Sequence, residues 1–124
     1  WIEHRTVYSD DGCLSEVHHR LGHEIENNKV FIDRNLSTNS VKNYEDDFFD
    51  LIYIDACHLY ESVYWDIVNF FPKLKSGGVM SGHDYVDNPA FGVKKAVDEF
   101  CSKYGYEIQI LTSESGDWAL TNKK

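Results

Sequence analysis

The chain has 124 residues and a formal net charge of −9, from 12 Lys+Arg against 21 Asp+Glu, with 42% hydrophobic residues. This is a globular rather than a disordered composition, long enough for one domain with one core, read over residues 1–124. An acidic surface without a basic stripe argues against nucleic acid and against anionic membranes as partners, and no apolar run approaches the ~18 residues that a membrane span needs.

The first residues show no basic, apolar, small-residue pattern of a signal peptide. Cys13, Cys57 and Cys101 are widely spaced and form no CxxC. They read as free thiols of a reducing compartment, so a cytoplasmic location is expected. The chain opens on Trp1, and its one methionine is Met80. It is therefore expected to be a fragment whose start lies upstream, or a processed product.

In chain order, residues 1–12 are polar and irregular, with "SDDG" as a turn signal. Leu14, Val17, Leu21 and Ile25 are spaced by three, four and four, which predicts a helix from Cys13 to Ile25 capped by Asp10 or Asp11. Gly22 weakens it. Lys29–Ile32 reads as a short strand. "NLSTNS" offers N-caps for a short helix near Asn39–Tyr44, and "EDDFFD" is a loop in which Asp46-Asp47 is a solvated pair.

Leu51–Ile54 is a continuous apolar run bounded by Asp50 and Asp55. It predicts a parallel strand buried on both faces. Val63, Ile67, Phe70/Phe71 and Leu74 mark a helix of about three turns, with Pro72 kinking its last turn. Gly77-Gly78 ends it and opens a strand at Val79–Gly82. Val93, Val97, Phe100 and Tyr104 define another helix, stopped by Gly105. Glu107–Thr112 and Asp117–Asn122 alternate as strands around an "SESG" hairpin loop.

Strands alternating with helices predict an α/β fold with a mostly parallel sheet, closed by one antiparallel pair. Ligands of such sheets bind outside the carboxyl ends of the strands. Asp55-His58 and His83-Asp84 both lie at predicted carboxyl ends, so they belong on one rim. A carboxylate at the end of a buried strand is costly unless it is solvated, paired or bound to a cation. Imidazoles titrate near neutrality and can serve as bases or ligands. The plainer reading of Asp55 and Asp84 is capping of the turns that follow.

The stretch "FDLIYIDACHLYESVYWDIVNFFPKLKSGGVMSGHDY", followed by "FGVKKAVDEF" and "DWALTNK", resembles the class I S-adenosylmethionine-dependent methyltransferases. The closest branch is the small-molecule one with IDA-x-H-x-Y and GG-x-x-x-GHDY strand ends. The match runs from about Lys29 to Lys123. It implies a Rossmann-like sheet of order 3-2-1-4-5-7-6 with helices on both faces and strand 7 antiparallel. Lys29–Ile32 would be strand 3, Leu51–Asp55 strand 4, Val79–Gly82 strand 5, Glu107–Thr112 strand 6 and Asp117–Asn122 strand 7. No G-x-G lies before residue 77, so the fold is expected to be truncated at its N-terminus, without the first strand and its glycine-rich turn.

The resemblance implies S-adenosylmethionine as cofactor and a small-molecule oxygen or nitrogen as acceptor. It places Asp55 and Asp84 where related enzymes hold a divalent cation such as Mg²⁺. His58 and His83 then act beside them, and Asn35, Ser37 and Asp55 lie on the cofactor's side. Tyr60 and Tyr85 either line a substrate pocket or pack with their hydroxyls at the surface. Cys57 lies beside the site but reads as packing, as do Trp65, Phe70 and Phe71. His18 and His19 are adjacent on a helix and point apart, which argues against a metal pair. With strand 1 missing, the edge of Leu51–Ile54 would be open. Either strand 3 docks beside it or a second chain covers it, so a homo-oligomer is expected. The competing reading is a non-catalytic α/β binding or assembly module derived from the same fold.

Overall fold

A computed structural model describes residues 11–112 and 116–121. They fall in two compact units, divided between Arg34 and Asn35. In the first unit, helix α1 spans Asp11–Glu26, where the apolar spacing placed it. Gly22 sits within it, in open space. Asp10, the other cap candidate, lies outside the described residues.

The expected strand at Lys29–Ile32 does not form, and residues 30–34 run without regular structure. The backbone explains why. The N–H groups of Lys29 and Val30 both turn back to the Glu24 carbonyl at the end of α1. A β-branched and aromatic segment becomes a strand only where a neighbour takes up its N–H and C=O groups, and no described strand pairs with this one.

The second unit carries the sheet. Helix α2 (Ser37–Ser40) continues into a 3₁₀ turn at Val41–Asn43. No side chain caps it. Asn35 instead accepts from the Leu36 N–H and the Asn39 carboxamide. Then follow β1 (Phe49–Ile54), α3 (Tyr60–Phe70), β2 (Leu74–Gly82), α4 (Val93–Tyr104), β3 (Glu107–Ile110) and β4 (Trp118–Thr121). The order is β1-β2-β4-β3. β1 runs parallel to β2, and β4 runs antiparallel to both β2 and β3. This is the 4-5-7-6 part of the expected order, with β1 at the edge. Ser113–Ser115 of the hairpin loop, and Asn122, lie outside the described residues.

Pro72 ends α3 in a 3₁₀ turn over Phe71–Lys73 rather than kinking a longer helix, because it offers no N–H for another helical turn. β2 therefore starts at Leu74, earlier than expected. The glycine pair lies inside it. Phe49 pairs with Leu74 but Leu51 with Val79, so two steps on β1 meet five on β2. Gly77 absorbs the excess with φ +80, a conformation that glycine adopts at little cost. Gly105 ends α4 with φ 77, as its position after Tyr104 suggested.

Val63 and Ile67 of α3 and Val97 and Phe100 of α4 pack on Met80 and Trp118 of the sheet. Side chains alternate across a strand, so Ile52 and Ile54 join this core. Leu51 and Tyr53 point the other way and are 60% and 52% exposed. β1 is thus not buried on both faces, because α3 and α4 cover only one of them in this unit. A fully buried Ile or Met side chain contributes about 1.5–3 kcal/mol. An exposed ion pair such as Lys75–Asp50 contributes about 0–1 kcal/mol. The core, not the surface charge, holds the strands in register.

One core-facing group opposes folding at neutral pH. Asp66 on α3 is 8% exposed. Burial raises its pKa, and a hydrogen bond from Ser37 only partly offsets this. A carboxyl whose pKa is raised by folding costs stability as pH climbs from the unfolded value, about 3.9, through the folded one. Thermal melts of Asp66→Asn and wild type across pH 3.5–7 should therefore diverge. The advantage of the Asn variant grows as pH rises through that window; parallel curves would show that Asp66 is not ionised at a cost.

Candidate functional site

The site follows from strand direction. Because β1 and β2 are parallel, Ile54 lies opposite Gly82 and both strands leave the sheet at one rim. They leave it at close quarters. A Cβ on Gly82 would lie 2.6 Å from the Ile54 carbonyl oxygen and 2.6 Å from the Trp118 ring. The next amide, His83 N–H, still donates to the Ile54 carbonyl at 3.2 Å. The Trp118 indole N–H donates to the His83 carbonyl at 3.2 Å. The core tryptophan thus ties the rim to the sheet.

Asp84 is the hub. Its Oδ2 lies 3.0 Å from His58 Nε2 and 3.0 Å from His83 Nδ1. His58 Nε2 is also 3.8 Å from Asp55 Oδ1. The Asp84 side chain is 17% exposed against 53% for Asp55, so the hub is the better shielded carboxylate. Its backbone has φ 62, in the left-handed region where aspartate is tolerated better than most residues but still at a cost. Strain of this kind gathers at functional sites.

One carboxylate oxygen facing two imidazoles accepts from whichever ring nitrogens carry protons. The hydrogen bond to Asp84 is the largest influence on His83 and raises its pKa. Partial desolvation opposes this, while the charges of Asp84, Asp117 and Asp55 add to it.

One ligand atom from each of Asp55, His58 and Asp84 can be chosen so that all lie within 4.8 Å of one another. Among the described residues no other group of three His, Cys, Asp or Glu side chains meets that condition. Three of the four residues expected to act on the rim therefore converge, and the fourth, His83, joins through Asp84. Cys57 is exposed and not part of the group, and His18 and His19 form no such group either.

Other expected residues have structural duties. The Tyr60 hydroxyl donates to Glu99 at 2.8 Å and the Tyr85 hydroxyl to Asp98 at 2.6 Å. Both tyrosines thereby anchor the rim to α4, and burial followed by the Asp98 bond pushes the Tyr85 pKa above its ordinary value. Asn35 braces the start of α2, and Ser37 bonds Asp66. Asp46 pairs with Lys73 at 2.7 Å. Phe70 and Phe71 pack against the core.

Two further groups reach this end of the sheet unforeseen. The Tyr53 hydroxyl donates to Asp117 at 2.9 Å, and Thr112 donates to the other Asp117 oxygen at 2.7 Å. The Asp117 bond is the main influence raising the Tyr53 pKa, with smaller contributions from Asp55 and Asp84. Phe91 stands edge-on to the His58 ring, centroids 4.7 Å apart. Its only signal in the sequence was its place after the GHDY segment. Beyond it lies an open groove of about 780 Å³ along α4. The groove's charged residues are already engaged, Lys94 with Asp87, Lys95 over the Tyr60 ring, Asp98 with Tyr85 and Glu99 with Tyr60.

Fold and rim together define an α/β domain with a carboxylate–imidazole cluster at the carboxyl ends of parallel strands. The model of a methyltransferase domain family matches residues 5–85. That span is more than half of the chain and includes β1, α3, β2 and all four rim residues. The chain belongs to the methyltransferase domain family. No curated protein matches it. No helix among the described residues is long and apolar enough to cross a membrane.

The shared carboxylate makes a specific prediction. Asp84→Asn keeps a side chain tolerant of φ 62 but removes the charge, so the His83 pKa should fall back toward about 6.5. With Asp84 intact, protonated His83 adds stability that is full below the unfolded value and is lost as pH rises through the raised folded one. Titration of the His83 ring resonances by NMR measures the shift, and an equal His83 pKa in both proteins would contradict the pairing.

Proposed function

We propose that the protein is a class I S-adenosylmethionine-dependent methyltransferase acting on a small-molecule oxygen or nitrogen. In this reading Asp55, His58 and Asp84 hold a divalent cation on the acceptor side of the site. The observation that carries it is the convergence of three ligand atoms within 4.8 Å. Donors about 2.1 Å from a common ion stand about 3 Å apart when adjacent in an octahedron and about 4.2 Å when opposite; the 3.0 and 3.8 Å separations from His58 Nε2 fall in that range, and wherever a pair reaches the 4.8 Å bound the exposed Asp55 side chain has to close inward on the ion. Two carboxylates suit Mg²⁺, and the imidazole nitrogen favours a transition ion such as Mn²⁺.

A cation there supplies Lewis acidity that makes an acceptor hydroxyl easier to deprotonate. The chain's own residues do the rest. Asp55 and Asp84 supply the negative charge that draws the ion in. His83, with its Nδ1 proton directed at Asp84, keeps Nε2 as the atom that takes the acceptor's proton. Tyr60 and Tyr85 hold the two strand-end turns against α4.

The cofactor's side is less well supplied. Among the described residues no glycine-rich turn joins a strand to a helix in the way that brings backbone amides onto a nucleotide cofactor. Asn35 and Ser37, expected on the cofactor's side, are engaged with Leu36, Asn39 and Asp66. Of the three residues expected on that side only Asp55 is left, and the present reading places it on the cation. This shortfall is the observation behind the second reading, a non-catalytic α/β binding or assembly module.

Transfer of labelled methyl from S-adenosylmethionine to small hydroxyl and amine acceptors tests the proposal. Asp55→Asn and Asp84→Asn should each lower the rate by about 10²-fold or more. Turnover unchanged in both variants would remove these residues from the chemistry. No turnover, together with no calorimetric binding of S-adenosylmethionine, would favour the module.

A further inference from the structure

We infer that Phe91 and Gly92 form a two-point latch that positions the His58 imidazole against Asp84. This rests on the reading of Asp55, His58 and Asp84 as the cation-holding side of the site, and makes Phe91 and Gly92 positioning residues for it.

His58 lies in the turn between β1 and α3, outside any helical or sheet ladder that would fix it. Its side chain is about one-third exposed. Yet its Nε2 stands 3.0 Å from Asp84 and 3.8 Å from Asp55, and a ligand set that strays by an ångström loses most of its value. Something must hold both the backbone and the ring.

The segment just before α4 does both. The Gly92 N–H donates to the His58 carbonyl at 2.7 Å, which fixes the backbone. The Phe91 ring meets the His58 ring at 4.7 Å between centroids and 60° between planes, an edge-to-face arrangement that favours one ring orientation. The segment is itself braced. Phe91 N–H donates to the Asn88 carbonyl, Ala90 N–H to the Asn88 side chain, and Ala96 N–H to the Gly92 carbonyl as α4 begins.

Glycine at position 92 is explained by space rather than by backbone angle. Its φ of −96 is open to any residue. A Cβ there would lie 2.2 Å from the Tyr60 nitrogen and 2.5 Å from the Tyr60 Cα. These are backbone atoms at the start of α3 and cannot swing aside. The β1–α3 turn and the start of α4 come together only because residue 92 has no side chain. The start of α4, whose Val93, Ala96 and Val97 sit in the core, thereby sets where His58 points.

Two readouts on the full chain test the latch: Mn²⁺ affinity by electron paramagnetic resonance, and the His58 ring nitrogens by long-range ¹H–¹⁵N NMR. Phe91→Ala should weaken Mn²⁺ binding by about 10-fold or more, the usual loss on removing a group that orients a ligand. It should also shift the His58 Nε2 resonance. Phe91→Tyr keeps the aromatic edge and should restore both. Gly92→Ala should act like Phe91→Ala if it folds; if it does not, the Phe91 pair decides.

A Phe91→Ala variant that melts earlier but leaves Mn²⁺ affinity and the His58 resonance unchanged would reduce Phe91 to packing and overturn the inference. If the wild-type chain takes up no Mn²⁺, the cation reading fails by itself and the His58 resonance alone decides. A shift in Phe91→Ala then upholds the latch, and no shift overturns it.

Discussion

The rim depends on one carboxylate oxygen. Asp84 Oδ2 faces two imidazoles at 3.0 Å each, from a residue held at φ 62 and largely shielded from water. Remove that oxygen and His58 and His83 have no common partner. The strained backbone keeps the carboxylate aimed between them. The strain persists because the neighbours leave little choice: His83 is tied through its N–H to Ile54 and through its carbonyl to Trp118. The Tyr85 N–H is tied to the Gly116 carbonyl. A costly backbone conformation survives where its surroundings over-determine it.

The sheet supplies that over-determination. Parallel pairing of β1 and β2 brings their carboxyl ends level, and the missing side chain at Gly82 lets Ile54 and Trp118 close on the strand end. Trp118 is fully buried, and its indole N–H finds its partner at the rim, which joins apolar packing to site geometry in one residue. Stability and site geometry therefore meet at the same strand ends. The low exposure of Asp84 has an electrostatic use as well, because charge in a shielded pocket acts more strongly than charge at a wet surface.

Much of this was legible in the sequence, and the failures have physical causes. The alternation of strands and helices, with "IDACH" and "GHDY" each following an apolar run, placed Asp55, His58, His83 and Asp84 on one rim, because parallel strands end together. Lys29–Ile32 misled because strand propensity is empty without a partner, and its amides turn back to Glu24. The Leu51–Ile54 run misled because a continuous apolar run does not tell how many faces are covered, and helices in this unit cover one. The glycine pair at 77–78 was read as a boundary because a bulge and a strand start leave the same mark. Tyr60 and Tyr85 were within reach of either role until Glu99 and Asp98 were seen to accept their hydroxyls. Phe91 and Gly92 carried no mark beyond their place after the GHDY segment, since nothing local tells which distant turn a residue will press against.

The rim is proposed to hold a cation between Asp55, His58 and Asp84. Anomalous diffraction from crystals grown with Mn²⁺ tests it most directly. A manganese peak is expected about 2.0–2.6 Å from one atom of each of the three side chains, with His83 still bonded to Asp84 from outside. A rim without manganese, with His58 Nε2 still directly hydrogen-bonded to Asp84, would contradict it.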